Sequence, residues 1–139
     1  MTSASTEQLS ERFTHTDTST EAMTDYNEAV RGANPVTPED APVAHLSGLD
    51  NLGPTAPSVT TVSPNALVMW HEGLTGKAMS ELIARFGTLL QATGATNSNS
   101  AVEVFRQTTP GASPTVDWLN SGGSSSADFH TLTVAVRPL

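Results

Sequence analysis

Leu74-Thr75-Gly76-Lys77-Ala78-Met79-Ser80-Glu81-Leu82-Ile83-Ala84-Arg85-Phe86-Gly87-Thr88-Leu89-Leu90-Gln91-Ala92-Thr93-Gly94 is the most strongly patterned stretch of the chain. Leu74, Ala78, Met79, Leu82, Ile83, Phe86, Leu89 and Leu90 recur every three or four residues, which places them on one face of a helix. Thr75 suits an N-cap, and Gly94 suits the left-handed position beyond the last turn. The pattern predicts one amphipathic helix over about Gly76 to Thr93. Downstream, Ala101–Thr108, Thr115–Leu119 and Phe129–Arg137 read as strands. In the last of these, Leu132, Val134 and Val136 form the clean apolar face, so that face is expected to be the buried one. The fold class expected from this half is α+β, one amphipathic helix with about three antiparallel strands.

Working back from Leu74, the composition changes. Residues 33–64 contain six of the nine prolines, Pro35, Pro38, Pro42, Pro54, Pro57 and Pro64. Proline lacks a backbone donor and biases its predecessor toward extended geometry. The stretch reads as a long extended arm with a turn near Ser47–Asn51 and apolar anchors at Val43, Leu46, Leu49, Leu52, Val59 and Val62. Before it, Thr18 and Glu21 have the spacing of a capping box, and Ala22, Met23, Tyr26, Ala29 and Val30 share one helical face ahead of Gly32. A weaker helix is expected from about Thr6 to Phe13. Both are too short to be stable alone in water, so their apolar faces need cover. The expected organisation is an acidic, Pro/Thr-rich arm with short helices over 1–64 and a small α+β core over 65–139.

Charge follows the same division. Residues 1–50 carry nine acids and two bases, a net of −7, against five acids and four bases in the remainder. With 6 basic and 14 acidic residues in all, the chain lacks the clustered cations that phosphate backbones require, so direct nucleic-acid binding is not expected. The absence of cysteine excludes disulfides, thiolate zinc sites and cysteine nucleophiles. No apolar run reaches the roughly 18 residues that would span a bilayer, and the first residues lack a signal peptide's apolar region. A cytoplasmic location is therefore expected unless the chain is part of a virion, and no membrane partner.

The residues able to carry chemistry do not converge. His71 and Glu72 are adjacent, but neighbours on a strand point to opposite faces, and no H-x-x-x-H or H-E-x-x-H spacing supports a metal site. His15, His45 and His130 are isolated in sequence. Ser, His and Asp are all present, yet no G-x-S-x-G elbow occurs. Asp117 and Asp128 read as turn and strand-end residues. The run Ser121-Gly122-Gly123-Ser124-Ser125-Ser126 lacks the lysine and helix of a phosphate loop. No catalytic, cofactor-binding or metal-ligating residue is therefore assigned. Trp70 and Trp118 read as core or interface anchors.

The segment His71-Glu72-Gly73-Leu74-Thr75-Gly76-Lys77-Ala78-Met79-Ser80-Glu81-Leu82-Ile83-Ala84-Arg85-Phe86 resembles a stretch of picorna-like virus capsid proteins. There the type Gly-Glu…Ser-Leu-Arg-x-Leu-hydrophobic-Arg-Arg-Phe forms a helix near the start of a jelly roll. Arg85 and Phe86 fit the end of that pattern, whereas Glu81 stands at a usually basic position. The resemblance covers about 16 residues. It implies a structural role in a virion, with this chain as part of a jelly roll or an accessory piece. The residues themselves point the same way, because a core drawn from about 75 residues is marginal alone. The function expected is a structural subunit of a large assembly, a viral capsid or virion-surface component. Its partners are neighbouring protein subunits, and Leu46, Leu49, Val59, Trp70 and Trp118 are its contact residues. The competing expectation is a small monomeric binding or adaptor module with a disposable acidic arm.

Overall fold

The computed structural model of the chain describes residues 30–50, 55–75, 86–95, 98–117 and 127–139. Nine strands occur there, and among the described residues there is no helix. They are β1 (Glu39–Asp50), β2 (Thr55–Ala56), β3 (Thr60–Thr61), β4 (Ala66–Thr75), β5 (Thr88–Ala95), β6 (Ser98–Gln107), β7 (Gly111–Ala112), β8 (Val116–Asp117) and β9 (Ala127–Val136).

The pairing is nested. β1 pairs with β9, β2 with β8, β3 with β7 and β4 with β6, all antiparallel. The chain is thus one long hairpin, with β5 returning against β6 at its tip. The hairpin is folded over so that β4 also lies antiparallel to β9, giving a five-stranded sheet of order β1-β9-β4-β6-β5. The middle of the hairpin crosses one face of that sheet. There Thr55 stands opposite Asp117 and Thr61 opposite Gly111 in a single register, and the Ser113 N–H donates to the Val59 carbonyl at 2.8 Å between them. Residues 55–61 and 111–117 therefore form one ribbon, interrupted where Pro57 and Pro114 have no N–H to donate.

The core lies between ribbon and sheet. Ala56, Val59 and Val116 from the ribbon meet Ala41, Val68, Trp70, Ala101 and Ala135 from the sheet. Trp70 is fully buried and its ring stacks near Phe105, centroids 6.0 Å apart. Most other core side chains are small, so Trp70 supplies much of the buried apolar area.

The ribbon is also tied down by hydroxyls. Thr133 donates to the Pro57 carbonyl at 2.6 Å, and Thr131 to the Thr55 carbonyl at 2.9 Å. Both threonines are buried on β9. They occupy carbonyls of the ribbon next to the place where proline interrupts its own ladder. Thr133→Val keeps the shape but leaves the Pro57 carbonyl unpaired, and is expected to cost about 2 kcal/mol in urea unfolding. A loss below about 0.5 kcal/mol would show that the bond contributes nothing net.

Three expectations are corrected by this architecture. The helix over 76–93 does not extend through its second half, because Thr88–Ala95 is strand β5. The tertiary setting overrides the helical periodicity: the buried Glu103 carboxylate accepts the N–H groups of Phe86 and Gly87 at 2.8 and 2.6 Å. Gly87 also lies so close to β6 that any Cβ would run into the Val104 carbonyl. Residues 76–85 lie outside the described residues, as do the expected helix at 6–13 and, apart from its last residue Val30, the one that follows Thr18. Secondly, residues 39–50 and 55–61 of the expected arm are extended, but they carry β1, β2 and β3 of the fold. The class is all-β, not α+β. Thirdly, β9 is turned the other way: Phe129, Thr131, Thr133 and Ala135 are buried, while Leu132, Val134 and Val136 face outward.

Candidate assembly interface

The outward face of the five-stranded sheet can be read row by row from its register. Val136, Leu67 and Arg106 form one row across β9, β4 and β6, and Val134, Met69 and Val104 the next. His45, Leu132, His71 and Val102 follow, the row now reaching β1, and then Ser47, His130, Gly73 and Ser100. Six aliphatic side chains and one methionine thus stand together in three of these rows. Met69 and Val102 are buried, Leu67, Val104, Val134 and Val136 are half-buried, and Leu132 is 36% exposed. Leu49 is 70% exposed near the end of β1, and Val43 is 47% exposed beside the irregular start of that strand. In these four rows Arg106 is the only side chain with a fixed charge.

The inward face carries buried polar groups beside the apolar core. Glu72, Glu103, Thr131 and Thr133 are all buried there. Glu103 stands opposite Trp70 and Glu72 opposite Ala101, so the two carboxylates are diagonal neighbours on adjacent strands. Neither Glu72 oxygen has a hydrogen-bond partner, and burial pushes its carboxyl up to about 8. Glu72 is therefore a neutral acid at pH 7, which is how a buried carboxyl avoids the cost of an unpaired charge. His71 lies on the opposite face, as strand alternation requires, so the pair does not form a dyad. Among the described residues no group of three or more His, Asp or Glu is placed to hold a metal ion. Asp117 accepts a hydrogen bond from the Thr55 hydroxyl at 2.8 Å in the ribbon, far in topology from Asp128 on β9.

Comparison with protein-family models, curated proteins and solved structures finds no match.

The five contact residues expected from sequence separate into three groups. Leu46 and Leu49 are on β1 and exposed at 43% and 70%. Val59 and Trp70 are buried in the chain's own core. Trp118 lies outside the described residues. The outward apolar row of Leu67, Val104, Leu132, Val134 and Val136 was not among the expected contacts, because Leu132, Val134 and Val136 were read as core. Composition cannot tell the two sides of such a strand apart. The threonines are the buried side only because the ribbon offers them carbonyls.

β1 is an edge strand, paired among the described residues only with β9. Its stretch from Val43 to Leu49 carries no fixed charge, and Pro42 guards only its beginning. Long uncharged edges are the places where another chain can add a strand.

Proposed function

We propose that this chain is a structural subunit of a large protein assembly, of the kind that forms a viral capsid or virion surface. The observation that carries this reading is the outer face of the sheet, where Leu132, 36% exposed, stands among the half-buried Leu67, Val104, Val134 and Val136. An antiparallel sheet with one solvated face ordinarily keeps its apolar residues inward. Contiguous apolar surface on a small domain is unfavourable in water and marks a face meant to be covered. A neighbouring subunit on that face would bury Leu132, Val134 and Val136 and would add the apolar area that an alanine-rich core lacks.

The winding supports the same reading. A long antiparallel hairpin, folded so that its outer and inner pairs share a sheet and its middle pair crosses the face, is the winding of a jelly roll. That architecture serves capsids, lectins and other proteins, so the winding alone does not choose among them. The outer face, with Arg106 as the one fixed charge in its four rows, favours protein partners.

The test is Leu132→Glu, alone and with Val134→Glu, read by light scattering coupled to size-exclusion chromatography. Both positions face away from the core, so the fold should survive, as circular dichroism would show. The variants are expected to run as 14.5 kDa monomers at concentrations where the wild-type chain is associated. Unchanged association of a folded double variant would remove this face from the interface.

A further inference from the structure

All three arginines among the described residues, Arg31, Arg106 and Arg137, line one cleft. It holds about 70 Å³ and is completed by Val30, Leu67, Val136 and Pro138, among others. Among the described residues no carboxylate lines it, although these residues as a whole carry seven acids (Glu39, Asp40, Asp50, Glu72, Glu103, Asp117, Asp128) against the three bases. Three of the chain's six basic residues thus gather at one point among described residues that are mostly acidic, and such a cluster suits an anionic partner.

The three differ in what they already hold. The Arg137 Nε donates to Asp40 at 3.1 Å and its Nη1 to the Thr37 hydroxyl at 3.1 Å. Arg137 therefore spends its charge within the fold. Arg31 and Arg106 are exposed and form no ion pair among the described residues. Arg106 stands in register with Leu67, and Leu67 with Val136, so the cleft is the end of the apolar outer face. A ligand that suits this place is anionic at one point and apolar alongside.

This protein contains such a segment. Residues 1–29 carry six acids (Glu7, Glu11, Asp17, Glu21, Asp25, Glu28) against the single base Arg12, together with Leu9, Phe13, Met23 and Tyr26. The segment runs directly into Val30, in the wall of the cleft itself. We propose that the Arg31–Arg106–Arg137 cleft is the docking site for the acidic segment 1–29 of a neighbouring copy, whose carboxylates meet Arg31 and Arg106 while its apolar residues cover the adjoining sheet face. The choice of a neighbouring copy rests on the assembly reading above. The paired guanidinium and carboxylate groups would set orientation and partner choice, and the apolar cover would supply most of the affinity.

The test titrates a fluorescein-labelled peptide of residues 1–29 into the full-length chain, below the concentration at which it associates, and reads anisotropy. Binding is expected to weaken at least about tenfold in the double variant Arg31→Gln/Arg106→Gln, and similarly for a peptide with its six acids changed to amides. High salt should weaken the wild-type pair more than either altered pair. Equal binding by the amide peptide, or by the arginine variant, overturns the proposal. So does arginine-dependent binding of inorganic phosphate without binding of the peptide, which would make this a small-anion site. Molecular mass is measured in parallel. A chain that stays monomeric yet binds the peptide through its arginines contradicts the assembly and keeps the cleft. An assembly whose peptide binding ignores the arginines does the reverse.

Discussion

Glu72→Gln is expected to stabilise the protein by about 3 kcal/mol at pH 7 and about 5 kcal/mol at pH 9, while changing little below pH 4. The reasoning starts from burial. Glu72 lies on the core face of β4 at 3% exposure with both oxygens unpartnered. Its carboxyl is raised from 4.5 to about 8 by desolvation, so the folded chain holds a proton that the unfolded chain releases. Below pH 4.5 both states are protonated and there is no penalty. Between 4.5 and 8 each pH unit costs the native state about 1.4 kcal/mol, and above 8 the loss is complete. The amide never ionises and so removes the slope. Urea unfolding of wild type and variant from pH 4 to 9, at one protein concentration, measures it. Parallel curves would show that Glu72 is ionised in the folded state and has a partner that the geometry does not provide.

Asp40→Ala is expected to cost about 3 kcal/mol at pH 7. The Asp40 side chain is fully buried, and one oxygen accepts the N–H groups of Val62 and Ser63 at 2.8 and 3.1 Å while the other meets Arg137. It joins the start of β1, the turn before β4 and the residue after β9. That turn carries Asn65 at φ 60°, in the left-handed region that asparagine tolerates better than most residues. Burial alone would raise the Asp40 carboxyl. The bonds from Ser63, Val62 and Arg137 outweigh it and hold the carboxyl below 3.8. Its contribution is therefore present above that range and is lost as pH falls through the folded-state value, opposite in sign to Glu72. Asp40→Asn keeps the volume and one acceptor and should cost about half as much, with a weaker loss of stability in acid. Equal stability of Asp40→Ala and wild type at pH 7 would mean that the turn and the terminus are held elsewhere. The two carboxyls together place the stability maximum in mildly acidic solution, between the acid loss at Asp40 and the alkaline loss at Glu72.

The sequence was legible where local pattern and tertiary setting agree. The strands expected at 101–108, 115–119 and 129–137 overlap β6, β8 and β9. The prolines of 33–64 pointed correctly to extended backbone. What they could not show was that extended residues 39–50 and 55–61 pair with chain 50 to 100 residues away. The helix reading of 88–93 failed because Leu89 and Leu90 fit a helical period as well as a strand. Glu103, which captures the amides of Phe86 and Gly87, is remote in sequence from that decision. The candidate interface was missed for a related reason. Leu132, Val134 and Val136 look like core until the Pro57 and Thr55 carbonyls claim the threonines between them. Leu46 and Leu49 stand exposed on β1, which leaves them open to a partner.

The central claim is that the apolar outer face is covered by a second subunit, and sedimentation of the full-length wild-type chain over a wide concentration range tests it most directly. The account predicts a mass that rises from 14.5 kDa to defined multiples, with the rise suppressed by Leu132→Glu. A stable, folded 14.5 kDa monomer at every concentration would contradict it.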